Sequence, residues 1–320
     1  SWLIEPMSFF LVATVIITWQ SVPFVAFTTF AGLTQVPTEV LEAAELDGST
    51  GWQRFRFVTF PFIRPVLLVL TVLRDVLSLF LPDAWQHATA VLVAVLALSA
   101  TLIGYFNARC PPRVVEIEVP IAGLPAPLHG FRIAQISDLH VGATIKRAYV
   151  VGVVERLNAL QPDLIAVTGD LVDGSVAQLG PHVAPLAGLR ARHGVYAVTG
   201  NHEYYSGAAA WIAEFGRLGL HMLMNEHVVL DHDGAALVVA GVTDYSAGQF
   251  DAAQTSDPAR ALLSAPAGAP RLLLAHQPRS ATAAAQAGYD LQLSGHTHGG
   301  QFWPWNLFVR LQQPYTAGLH

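Results

Sequence analysis

Cysteine is almost missing: Cys110 stands alone among 320 residues, which excludes an intrachain disulfide and a cysteine-built zinc site. Charge is scarce as well. Asp, Glu, Lys and Arg together make up 12% of the chain, about half the share of an ordinary soluble domain. The apolar content is 52% and the mean hydropathy +0.43, which excludes a disordered chain, whose hydrophobicity is low. The missing charge points instead to membrane segments. No block of Lys or Arg occurs and the net charge is -6, so a basic nucleic-acid-binding surface is not expected. Neither an internal repeat nor a signal-peptide cleavage pattern is present, and the chain opens on Ser1 rather than Met, as a fragment or processed product would.

What is there falls into three regions: 1–65, 66–110 and 111–320. In the first, Phe9 to Phe30 is nearly uncharged and long enough for the roughly 20 helical residues that a bilayer core requires, with Pro23 as a kink. A polar turn from Thr34 to Glu39 follows. Thr38 is a natural N-cap, with Glu39 and Glu42 in the first turn and Gly48 as a stop. In the second, Val66–Leu81 is apolar but carries Arg74 and Asp75, whereas Ala88–Phe106 has no charged residue. Both are expected to span a membrane, the second more strongly.

From Pro111 onward short apolar strands alternate with helical stretches. Strands are expected at 131–137, 163–168, 194–199, 236–242, 271–275 and 290–293, and helices at 148–160, 176–189, 208–218 and 258–263. That alternation predicts a layered α/β domain. Polar residues gather where the strands end: Asp138-Leu139-His140, Gly169-Asp170, Gly200-Asn201-His202-Glu203, His276, and Gly295-His296-Thr297-His298-Gly299-Gly300. Ligands bind at the carboxyl ends of strands in open α/β sheets, so the five clusters are expected to converge on one edge. Asp, Asn and His offer oxygen and imidazole donors, a mixture that suits Mn, Fe or Zn. In Asp138-x-His140 and His296-x-His298 the donors are two apart, and on an extended segment such positions share a face. The other histidines (His87, His129, His182, His193, His221, His227, His232 and His320) read as surface or satisfied core residues.

Taken in order, these motifs resemble the calcineurin-like metallophosphoesterases over about residues 111–320, and Gly299-Gly300-Gln301, Asn201 to Tyr205 and Leu291 to Ser294 resemble its membrane-associated bacterial branch. The resemblance implies a β-sandwich flanked by helices with a two-metal centre at its edge. It implies that Asp138, His140 and His298 hold the first ion, that Asn201, His276 and His296 hold the second, and that Asp170 bridges them. It assigns His202 no ion: that residue would contact the phosphate or protonate the leaving group. Two divalent ions so held would bind a phosphate oxygen and acidify a water. Because ligation needs neutral His and ionised Asp, activity should fall in acid. The family continues past Gln313-Pro314-Tyr315 with further strands, so a C-terminal truncation at His320 is expected, with an unpaired sheet edge. The run Phe302 to Phe308, with Trp303 and Trp305, reads either as core packing or as an aromatic wall for a lipid, a nucleoside or the bilayer.

Residues 1–65 resemble something else. Gly32-Leu33, Val36-Pro37, Glu42-Ala43-Ala44, Asp47-Gly48, Trp52, Phe55 and Pro61 are similar to the coupling segment of ABC-type sugar-transporter permeases, which in that family docks on an ATPase subunit. The earlier helices of a transport path are absent. The chain therefore reads as a chimera: a partial permease joined near residues 62–75 to a phosphoesterase of a bacterial cell membrane. Arg54, Arg56 and Arg64 put the coupling loop in the cytoplasm; with two later spans the catalytic domain returns there, the expected arrangement, and without a span at Val66–Leu81 it faces outward. The expected partners are a phosphoester substrate, lipid- or nucleotide-linked by analogy, and the membrane, plus an ABC ATPase if the first region is functional. A transport subunit and a non-hydrolytic phospho-ligand module are the alternatives. The complete ligand set favours the enzyme.

Overall fold

The computed structural model describes residues 68, 71–72, 74–76, 85–109, 112–300 and 308–320, and the chain divides into two compact units, Ser1–Cys110 and Pro111–His320. The permease-like features of residues 1–65, most of Val66–Leu81, and the Trp303–Trp305 run lie outside the described residues.

In the first unit, helix α1 covers Gln86–Arg109. Val91, Leu92, Val95, Leu96, Leu98, Leu102 and Ile103 are exposed along it, and Ala97 is buried. Arg74 pairs with Asp75 at 3.0 Å and reaches the Thr89 hydroxyl at 3.3 Å, so the two charges noted in Val66–Leu81 are engaged locally. Among the described residues no helix is long and apolar enough to cross a membrane.

The second unit carries two four-stranded sheets. Strands β1 (Ile133–Ile136), β2 (Leu164–Val167), β3 (Val195–Ala197) and β4 (His221–Met222) are parallel and lie in that order. In the other sheet, β5 (Glu226–His232) runs antiparallel to β6 (Ala235–Gly241), which is followed in parallel by β7 (Arg271–Leu274) and β8 (Leu291–Leu293). Side chains alternate between the faces of a strand, and here both faces are covered. Leu164 and Ala166 of β2 join Leu237, Val239, Leu272 and Leu274 of the second sheet in the inter-sheet core. Ile165 and Val167 point the other way, into a layer formed by α2 (Arg147–Ala159), α3 (Val176–Val183) and α5 (Ala208–Arg217), with Trp211 and Phe215 fully buried; α4 is the short helix Asn201–Tyr205. Leu273 packs outward against α6 (Pro258–Ala261) and α7 (Ala281–Ala287). The result is a helix–sheet–sheet–helix sandwich, and coverage on both faces is why the strands read as continuous apolar runs.

Two local departures have physical causes. The stretch 176–189 is not one helix: α3 ends at Val183 and a 3-10 turn covers Ala184–Gly188. Pro185 has no N–H to donate back to the carbonyl of residue 181, so the α ladder stops. Strand β5 was not expected, because Glu226, Asp231 and two histidines dilute its apolar pattern. It is paired through Asp233 and Gly234, both at positive φ (54° and 87°), the two-residue turn that right-twisted hairpins favour.

Candidate metal centre

All the parallel strands of the first sheet, and β6 to β8 of the second, deliver their carboxyl ends to one edge. Asp138 and His140 follow β1, Asp170 follows β2, Asn201 and His202 open α4 after β3, His276 follows β7, and His296 and His298 follow β8. The eight sequence-expected residues are brought together there. His140 Nε2 lies 3.2 Å from His298 Nε2, and Asp138 Oδ1 lies 3.3 Å from His298 Nε2. His276 Nε2 lies 3.1 Å from Asp170 Oδ2, 3.2 Å from Asn201 Oδ1 and 3.2 Å from His296 Nδ1. Donor atoms fall into metal-sized groups of Asp138, His140 and His298, of Asp170, His276 and His296, and of His140, Asp170 and His202. The Asp170 carboxylate stands between them: its Oδ1 accepts from the His202 backbone at 2.9 Å, while Oδ2 lies 3.1 Å from His276 Nε2 and 3.9 Å from His140 Nε2.

The donors converge by a route different from the extended one. Asp138, His140, Asp170, His296 and His298 all have φ between 46° and 73°, a left-handed conformation that is uncommon outside glycine and concentrates at functional sites. The two-apart donors meet because both members of each pair are left-handed, not because a strand is extended. Glycine is required beside them for close approach: a Cβ at Gly200 would collide with the Asp170 carboxylate, and one at Gly295 with Ser137 and Asp138.

Two carboxylates that the motif reading left without a role organise the site. Glu203 is buried (1% exposed) and accepts from the backbone N–H groups of Gly200 (2.7 Å), Asp170 (2.9 Å) and Leu171 (2.8 Å). It thereby ties the β2 and β3 loops together. Burial and the neighbouring Asp170 charge push its carboxyl above the usual range. Asp173 Oδ1 is 3.0 Å from His140 Nδ1 and 2.6 Å from His202 Nδ1, which turns both Nε2 atoms toward the centre. Its loop is pinned by Trp211, whose indole N–H donates to the Gly174 carbonyl at 2.8 Å. Asp173 is three residues beyond Asp170, and that spacing was the one sequence cue to it.

The electrostatics suit a cation. Burial opposes ionisation of Asp138 and Asp173, yet the hydrogen bonds to His298, and to His140 and His202, hold both carboxyls well below the usual range. Burial likewise opposes a charge on His276, but Asp170 raises it to about 9. Burial and the neighbouring His276 bring His296 down to about 4. The cluster thus draws positive charge to the His276–Asp170 contact, where a divalent ion and a proton compete. His202 is raised: burial works against it, and the Asp173 bond and Asp170 charge prevail.

Residues 131–300 match the family model described as "Calcineurin-like phosphoesterase". The chain belongs to that family. Residues 2–81 match a different model, "Binding-protein-dependent transport system inner membrane component", so a permease-like segment precedes the phosphoesterase domain in one chain. Similar relatives include "Transmembrane protein with metallophosphoesterase domain" from Bos taurus, 38% identical over 74% of this chain and 55% of its own length. An "Uncharacterized metallophosphoesterase" from Helicobacter pylori is 34% identical over 68% of this chain and 57% of its own. The "Diacetylchitobiose uptake system permease protein DasB" of Streptomyces coelicolor is 48% identical over 37% of this chain and 30% of its own. The chain spans little more than half the length of the phosphoesterase relatives.

Proposed function

We propose that this chain is a membrane-attached phosphodiesterase with two divalent ions in its centre. The observation that carries the reading is the position of Asp170, whose Oδ2 lies 3.1 Å from His276 Nε2 and 3.9 Å from His140 Nε2. Asp138, His140 and His298 would hold one ion, Asn201, His276 and His296 the other, and Asp170 would contribute to both. The donors are carboxylate oxygens, one amide oxygen and imidazole nitrogens, which suit Mn, Fe or Zn. Ions so held would supply Lewis acidity and a water acidified toward neutrality.

The chain's own residues do the rest. His202 keeps its Nδ1 on Asp173 at 2.6 Å, leaving Nε2 to give a proton to the departing ester oxygen as water adds to phosphorus and the P–O bond breaks. Asp173 fixes the tautomer and orientation of that ring and of His140. His202 is thus a proton donor rather than a ligand, although it stands within donor range of His140 and Asp170.

Membrane attachment is supported by the transport-component match, by the exposed apolar side chains of α1, and by the printed name of the bovine relative. The arginines Arg54, Arg56 and Arg64 favour a cytoplasmic coupling loop, and two further spans would return the catalytic domain to that side. A lipid- or nucleotide-linked phosphodiester is the substrate class consistent with that attachment. The DasB likeness favours a second reading for residues 2–81, a coupling contact with a transport ATPase.

Hydrolysis of bis(p-nitrophenyl) phosphate by the full chain with Mn²⁺ tests the enzyme, with His202→Ala alongside. Turnover that chelation removes, and that His202→Ala lowers while bound metal stays near normal, is the expected result. Equal loss of metal and rate in His202→Ala would make His202 a ligand, and no turnover by a folded, Mn²⁺-loaded chain would refute the esterase reading.

A further inference from the structure

Beside His202 the surface carries aromatic rings that hydrolysis does not use. Tyr205, at the end of α4, sits 5.4 Å from the His202 ring, and Phe250 sits 5.6 Å from Tyr205. Both are open to solvent, at 64% and 50%. They are not loose: Phe250 is backed by Tyr204 at 5.5 Å, and the Tyr204 hydroxyl donates to Gln254 Oε1 at 2.7 Å. The loop that carries Phe250 also carries exposed Tyr245, with the Arg279 guanidinium 5.6 Å from its ring centroid. Rings exposed to this degree contribute little to a core, and contiguous exposed apolar surface commonly marks a binding site.

We propose that Tyr205 and Phe250 form a shelf on the leaving-group side of His202 that stacks a planar aromatic ring, a nucleobase or an aryl group, in the substrate's ester. The proposal rests on the phosphoesterase reading and narrows its substrate class. Tyr205 and Phe250 meet edge to face at 62°, so a flat group stacks on one exposed ring face with the second ring at its edge, an arrangement that suits flat π systems. An acyl chain gains its binding energy methylene by methylene and needs an enclosing apolar groove. Two rings exposed at 64% and 50% form no such enclosure, which serves a flat group better. A nucleoside ester is a small-molecule ligand and needs no basic surface of the kind that nucleic acid requires.

Competitive inhibition of Mn²⁺-dependent bis(p-nitrophenyl) phosphate hydrolysis by the full chain tests this. Phenylphosphonate and cyclohexylphosphonate share the anchoring group and nearly the same apolar size, but only the first is flat. Phenylphosphonate should inhibit at least about fivefold more tightly, as stacking on one ring implies. That ratio should fall toward one in Tyr205→Leu and in Phe250→Leu, which keep apolar bulk and lose the ring face. A third inhibitor, the 5′-phosphonate of adenosine, separates the sources: tighter binding than phenylphosphonate assigns the shelf to a nucleobase, weaker binding to a small aryl group. Equal inhibition by the flat and puckered rings, or a preference that survives both Leu variants, overturns the shelf and leaves the esterase standing. An absence of hydrolysis by the Mn²⁺-loaded chain overturns the esterase reading and the shelf together.

Discussion

Replacing Glu203 with Ala removes the acceptor for three backbone N–H groups at once, those of Gly200, Asp170 and Leu171, all at 2.7–2.9 Å. A buried donor left without a partner costs about 1–3 kcal/mol. Three dry donors would approach the top of the range seen for single substitutions. The vacated space admits water that satisfies part of the demand, so about 3 kcal/mol is the expected loss, a large share of the roughly 5–15 kcal/mol that holds a domain folded. The loss is local, because the three amides lie on the two loops that carry Asp170 and Asn201. Native-state hydrogen exchange on the full chain reads it directly: protection at residues 170, 171 and 200 should fall roughly a hundredfold, since each 1.4 kcal/mol is a factor of ten. Metal affinity should fall with it. Glu203→Gln should not rescue, because its amide NH2 would face N–H donors. Unchanged protection in Glu203→Ala, or full rescue by Gln, would refute the role of Glu203 as the carboxylate clasp that accepts from both the β2 and β3 loops.

Gly200→Ala drives a Cβ into the Asp170 carboxylate, so bound metal should drop severalfold by equilibrium dialysis while secondary structure by circular dichroism is retained. Asp173→Asn weakens the hold on His202 and His140 together; kcat should fall at least about tenfold, more than KM changes, in steady-state hydrolysis. At the opposite end of β3, His193 Nε2 sits 2.8 Å from His232 Nδ1, and burial and that neighbour lower the His193 pKa. A lowered folded-state pKa contributes stability above the unfolded value, near 6.5, that is lost as pH falls through the folded value. The urea midpoint should therefore drop more between pH 7.5 and pH 5.5 in the wild type than in His193→Gln.

The sequence made the site legible because each donor cluster directly follows an apolar strand, and parallel strands bring their carboxyl ends to one edge. Six of the eight strands were readable for the same reason: residues such as Ile165 and Leu273, covered on the outer faces, and Leu164 and Leu272, covered between the sheets, leave uninterrupted apolar runs. What escaped were features carried by pairing rather than pattern. Strand β5 is polar along half its length and is fixed by its ladder with β6, although Asp233-Gly234 advertised the turn. Helix α4 has five residues and no periodicity to detect. The left-handed backbone at Asp138, His140, His296 and His298 leaves no mark in the spacing, which alone suggested an extended segment. Asp173 and Glu203 look like ordinary surface acids in sequence and gain their roles only when the β2 and β3 loops meet. His193 and His232, read as unremarkable, are 39 positions apart and become a contacting pair once β3 and β5 are in place.

The central claim is that two ions share Asp170. The most direct measurement is a Mn²⁺ titration of the metal-stripped full chain in which bound Mn²⁺ and hydrolysis of bis(p-nitrophenyl) phosphate are read in the same samples, for the wild type and Asp170→Asn. A shared centre predicts two ions per wild-type chain, activity that rises with the second equivalent, and a variant that binds Mn²⁺ weakly and is inactive. Saturation at one ion with full activity, or an Asp170→Asn chain that binds two ions and hydrolyses normally, would contradict it.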